Sequence, residues 1–150
     1  MIKAFTARFR PILLVPTVLL AMGMSASIVR AQAKLYNPLP LPANGEITDN
    51  LSDNDIPTGQ GGFARDYIVE LTADDNVAVD LTSENFDTIV TLLAKNGTTV
   101  AENDDGPDGS TNSLLFTRIK DRGTYIIRVR AFGETAGGEF KLKVTRLRPI

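Results

Sequence analysis

Histidine, cysteine and tryptophan are all missing from the 150 residues. Without histidine there is no Ser-His-Asp triad, no imidazole base near neutral pH and no histidine-ligated metal. Without cysteine there is no thiol nucleophile, no thiolate zinc or iron–sulfur centre, no disulfide and no lipid-modified N-terminal cysteine. Without tryptophan, stacking on neutral sugar rings has little to rest on. Catalysis would have to come from carboxylates, lysines, tyrosines and hydroxyls. A carboxylate pair serves glycoside hydrolysis, but it needs a substrate cleft, and a domain this short rarely builds one. The expectation is a protein without enzymatic activity.

Acidic residues are missing too, but only at one end: none precedes Glu46. Lys3, Arg8 and Arg10 open the chain, an apolar run follows from Ile12 to about Met24, and small residues lead to Ala31-Gln32-Ala33. A basic start, a short apolar stretch and an A-x-A ending describe a secretory signal peptide over residues 1–33. The apolar run is shorter than the roughly 20 residues that a membrane span needs. Removal of this segment takes four basic residues with it and moves the net charge from −2 to −6. The expected location is the periplasm, the cell surface or the medium. An acidic domain is a poor general binder of nucleic acid.

Residues 34–44 carry Pro38, Pro40 and Pro42, spaced by Leu39 and Leu41. Alternate prolines favour an extended segment, so this stretch reads as an arm or linker ahead of a domain at 45–150. Within that domain, the period is two. Tyr67, Val69 and Leu71 form one alternating run; Val77, Val79 and Leu81 another. Tyr125, Ile127 and Val129 follow the same pattern, as do Phe140, Leu142 and Val144. Such alternation puts one side of each strand in a core and the other in water. Ile89 to Ala94 is nearly all apolar, as in a strand covered on both faces, and Leu114 to Phe116 makes a shorter one. Asn96-Gly97 is a hairpin signal, and Gly133 to Gly138 is expected to close a final hairpin. No stretch of the domain has a sustained helical period. The prediction is an all-β fold, an antiparallel sandwich of about eight short strands with a jelly-roll-like character.

Several local motifs fall in an order that resembles the bacterial pre-peptidase C-terminal domain family. They are Arg65-Asp66-Tyr67-Ile68-Val69, then Val77-Ala78-Val79-Asp80-Leu81, then Phe86-Asp87-Thr88. Leu92 to Gly97, Asn103-Asp104-Asp105, Asn112-Ser113, Gly123-Thr124-Tyr125 and Gly138-Glu139-Phe140 continue the series. The resemblance runs from Asp66 to Val144. It implies a sandwich without catalytic residues, of a kind that sits beside secreted proteases; no protease is present in this chain. In collagenase-type relatives such modules bind collagen and calcium.

Two groups of residues are candidates for binding. Asn103, Asp104, Asp105 and Asp108 bring four side-chain oxygens into six residues, and calcium takes six to eight hard oxygen ligands in irregular geometry. The same composition also suits a plain turn, because Asp and Asn bond to nearby backbone amides. Asp87, in the matched motif, is expected to pin a loop; the lesser alternative is that it is a metal ligand. A second acidic group, Asp49, Asp53, Asn54 and Asp55, reads as a solvated loop.

The other group comes from an uneven charge distribution. Residues 34–110 hold 3 basic and 15 acidic side chains, whereas residues 111–150 hold 9 basic and 3 acidic. Alternation puts Arg128, Arg130, Lys141 and Lys143 outward on the expected last hairpin. They form either a basic strip for an anionic glycan, lipid headgroup or acidic protein, or the basic half of cross-strand pairs with acids such as Asp66, Glu70 and Asp80. The functional expectation is a secreted, monomeric binding or adhesion module, ordered by calcium or not, for an extracellular or envelope protein or polysaccharide. The alternative is an accessory domain that helps export, fold or inhibit a separate secreted enzyme.

Overall fold

The computed structural model describes residues 36–107, 109–133 and 137–147. The segment read as a signal peptide lies outside these residues, as does Asp108. Ten strands follow one another: β1 (Leu39–Pro40), β2 (Glu46–Leu51), β3 (Ile56–Pro57), β4 (Phe63–Leu71), β5 (Asn76–Thr82), β6 (Thr88–Ala94), β7 (Thr99–Asn103), β8 (Ser113–Arg118), β9 (Gly123–Ala131) and β10 (Gly138–Leu147). They form two sheets. One runs β1-β4-β9-β6-β7, with β3 also paired to β4; the other runs β2-β10-β5-β8. Every pairing is antiparallel except that of β1 with β4. Among the described residues no helix is long and apolar enough to cross a membrane.

The period of two acts as expected. Tyr67, Val69, Leu71, Val90, Leu92, Tyr125, Ile127 and Val129 point inward from the six-stranded sheet. Leu51, Val77, Val79, Leu81, Leu115, Phe140, Leu142 and Val144 meet them from the four-stranded one. Each fully buried aliphatic side chain contributes about 1.5–3 kcal/mol. At one end the rings of Tyr67 and Phe86 stand edge-on to Phe140, with centroids 6.3 and 6.4 Å away; this is the preferred arrangement of aromatic quadrupoles.

The topology departs from the expectation in three places. Strands β9 and β10 are not a hairpin: the chain crosses between them from one sheet to the other. The extra strands β1 and β3 have two residues each, too few for any period to register. The proline arm is not a free linker, because β1 pairs with β4, Leu39 and Leu41 pack against the core, and the Leu41 amide donates to the Ile68 carbonyl.

The Asn96-Gly97 turn does join β6 to β7, but of its two residues only Gly97 has a positive φ, +85°. The Gly97 amide donates to the Ala94 carbonyl, and the Ala94 amide to the Thr98 carbonyl. That is a type I turn completed by a left-handed glycine, and the register shifts between Leu92 and Leu93 on the strand that leads into it. Gly45 is a stricter requirement. Its φ is +75°, and a Cβ there would lie 2.5 Å from the Val144 carbonyl oxygen of β10.

Candidate functional site

Strand alternation leaves an outward row across the six-stranded sheet. Asp66 on β4 lies opposite Arg128 on β9, Arg128 opposite Thr91 on β6, and Thr91 opposite Glu102 on β7. The Asp66 carboxylate is fully buried and accepts two bonds of 2.8 Å from Arg128, one from the ε nitrogen and one from a terminal nitrogen. This bidentate geometry is the strongest form of the pair, and it raises the Arg128 pKa. At the other end of the row, one Glu102 oxygen accepts from the Thr91 hydroxyl at 2.6 Å and from Arg130 at 3.1 Å. Beside the charged row runs an apolar one, Ile68–Ile126–Leu93.

Two grooves cut into this face. The first, of about 400 Å³, lies between the arm residues Tyr36–Leu39 and the segment 54–57, with Ala64, Arg65 and Asp66 at its floor. The second, of about 410 Å³, lies between the 56–60 loop and Thr91, Leu93, Glu102, Arg128 and Arg130. They meet at Ile56, Pro57 and Ala64. Tyr36 stands over the start of this surface. Burial and the nearby Asp66 carboxylate raise its pKa.

Behind the first groove is an ion cluster around Arg65. One terminal nitrogen donates to Asp55 at 2.8 Å and to the Asn50 carbonyl at 3.1 Å. The ε nitrogen lies 2.9 Å from Asp49 without hydrogen-bond alignment, so that contact is an ion pair only. The Tyr67 hydroxyl donates to the same Asp49 oxygen at 2.8 Å. Burial first, then Asp49, pushes the Tyr67 pKa far above the ordinary phenol range. Asp55 also caps the Ser52 amide at 2.8 Å. The acidic group read as a solvated loop is therefore in part a structural cluster. The signal for it was present: Arg65 is one of just 3 basic residues between 34 and 110.

The basic strip does not exist as a single surface. Arg128 and Arg130 face outward from the six-stranded sheet, whereas Lys141 and Lys143 face outward from the opposite one. The reason is the crossing between β9 and β10. Three of the four basic side chains pair with acids: Arg128 with Asp66, Arg130 with Glu102, and Lys143 with Glu46 at 2.7 Å. Arg118 likewise meets Asp74 at 2.7 Å. All four pairs join the basic C-terminal stretch to the acidic stretch before it. The charge asymmetry is thus largely complementarity within the fold.

Asp87 is exposed, and what it supplies to its neighbours is its backbone carbonyl, which accepts from the Phe132 amide at 2.7 Å. The buried anchors of that motif are Phe86 and Thr88; the Thr88 hydroxyl lies 2.7 Å from that of Ser113.

In the candidate calcium loop, Asn103 is turned to the backbone. Its amide nitrogen donates to the carbonyls of Asp105 and Leu114, and its oxygen accepts from the amides of Asp104 and Asp105. Asp104 and Asp105 are exposed, and among the described residues no three acidic side chains converge on one point. The geometry of the described part of this loop is that of an Asx-stabilised turn.

Two layers of antiparallel strands, with sequential strands mostly alternating between layers, define a β-sandwich. The sequence profile of the bacterial pre-peptidase C-terminal domain matches residues 64–131, from β4 to the end of β9. That stretch is similar to the family's domain, and β2 and β10, which complete the four-stranded sheet, lie outside it. Among solved structures, the pre-peptidase C-terminal domain of a collagenase from Bacillus anthracis superposes with a TM-score of 0.55 at 14% identity. That match covers 73% of this chain and 95% of the other. PliG of Aeromonas hydrophila, a periplasmic inhibitor of g-type lysozyme, is also similar, with a TM-score of 0.49, 14% identity and coverage of 72% and 96%. No curated protein matches the sequence.

Proposed function

We propose that this chain is a non-catalytic binding module of an exported protein, and that it holds an extracellular or envelope protein on the outer face of its six-stranded sheet. The observation that carries this reading is the pair of adjoining grooves on that face. Their walls mix apolar side chains (Leu39, Ile56, Leu93) with anchored charges (Arg128, Arg130, Glu102). Mixed lining of this kind suits a polypeptide better than a bare anion, because each groove arginine already has a carboxylate partner. The same pairing supports a binding role over hydrolysis, since Asp55, Asp66 and Glu102 are each engaged by an arginine.

A polysaccharide fits less well. The exposed aromatics Tyr36, Phe116 and Phe132 are dispersed and build no stacking platform: Tyr36 flanks the grooves, Phe116 lies on β8 of the other sheet, and Phe132 follows β9.

The test uses immobilised protein and the exported proteins of the native cell. Arg130→Glu and Thr99→Arg, at the rim of the second groove, should abolish retention of a partner that the parent retains. Lys141→Glu, on the opposite sheet, should not. Equal retention by all three variants, or no retained protein at all, would overturn the assignment.

A further inference from the structure

We infer that the N-terminal arm can exchange between two copies of the chain, each docking residues 36–41 on the β4 edge of the other. Every residue from Tyr36 to Gly45 borders an open groove. The first groove flanks Tyr36–Leu39, and a further one, of about 540 Å³, flanks Pro40–Gly45. The arm is thus laid on the surface rather than enclosed by it.

Its contacts are specific all the same. Leu39 and Pro40 pair in parallel with Tyr67 and Ile68, the Leu41 amide bonds to the Ile68 carbonyl, Leu39 and Leu41 reach the core, and Tyr36 stands against Asp66. The occupant that this edge fits is therefore known: it is residues 36–41, and nothing in those contacts depends on which copy supplies them.

What ties the arm to its own domain is a short hinge. The Gly45 amide donates to the Pro42 carbonyl at 2.8 Å, and Gly45 is itself pinned to β10, with its carbonyl accepting from the Val144 amide. Pro42, Ala43 and Asn44 make the turn between two fixed ends. Three alternate prolines keep the arm extended, and residues before a proline avoid the helical region. Once the 42–45 turn opens, a stiff arm projects outward instead of folding back. A short hinge beside a stiff, surface-laid arm is the configuration in which exchange keeps every docking contact and gives up only the turn. The β2 and β4 edges of the two copies would then face one another across a two-fold axis.

Because the chain has no cysteine, the test is clean. Pro40→Cys and Ile68→Cys occupy partner positions of the β1–β4 register, a spacing that a disulfide spans. The two single variants, each first shown to melt as the parent does, are mixed at high concentration and oxidised. Exchange gives a disulfide-linked pair of chains in the mixture, absent from either variant alone. Light scattering of the unmodified protein is the second measurement: its mass should rise toward twice the monomer value between micromolar and millimolar concentration, and Leu39→Asp/Leu41→Asp should hold it at one chain. A parent that stays at one chain throughout, or mixed variants that never link, would overturn the inference.

Discussion

Replacing Arg128 by leucine should be among the most destabilising changes on the molecular surface. The reason is its partner: the Asp66 side chain is 0% exposed, while that of Arg128 is 29% exposed. Removing the arginine leaves a carboxylate inside the sheet face without its counter-ion. Breaking a buried pair in this way costs about 3–5 kcal/mol. Water can follow the partly open Arg128 side, so about 2–4 kcal/mol is the working value, a large share of the roughly 5–15 kcal/mol that holds a domain together. Urea unfolding reads this directly. With a slope of about 1–3 kcal/mol per molar, the midpoint should fall by roughly 1–2 M. Asp66→Asn in the Arg128→Leu background should recover much of the loss, because a neutral amide no longer needs the cation. The double-mutant cycle should therefore show a coupling of about 2 kcal/mol or more. A loss below about 0.5 kcal/mol for Arg128→Leu, with no rescue by Asp66→Asn, would mean that the pair behaves as an ordinary surface ion pair and would refute the reasoning.

Alkaline titration tests the Tyr67–Asp49 contact. The folded-state pKa of Tyr67 is raised, so its contribution to stability is complete below the unfolded phenol value of about 10 and declines as pH rises past it. Thermal melts of Tyr67→Phe should be less stable than the parent at pH 7 and lose less between pH 9 and about 11; parallel curves would reject the contact. Gly45→Ala should destabilise by about 1–3 kcal/mol, since it meets both the Val144 carbonyl and a left-handed φ, whereas Gly97→Ala meets open space and should cost about 1 kcal/mol from φ alone. Equal losses at the two glycines, measured by denaturant unfolding, would contradict this. Millimolar calcium against chelator should leave Tm unchanged, because Asn103 is already committed to backbone groups; a rise of several degrees would show that Asp104, Asp105 and Asp108 gather a cation after all.

The sandwich was legible in the sequence because alternation is a local property. Tyr67, Val69 and Leu71 declare one buried side whatever they pack against, and the absence of histidine and cysteine closes whole classes of chemistry without any coordinates. The same local rule says nothing about which sheet a strand joins. β9 and β10 carry the same inward pattern and outward basic residues, but one pairs with β4 and β6 and the other with β2 and β5. Arg128 and Lys141 therefore point in opposite directions, and a strip that looked continuous along the chain was divided by a single crossing.

The grooves, the Arg65 cluster and the docking of the arm are likewise meetings of residues far apart in sequence, such as Asp66 with Arg128 and Asp49 with Tyr67. Side-chain type and spacing determined that two apolar faces would close on each other. Only the path of the chain between the layers decided which charged residues would find partners and where the grooves would lie.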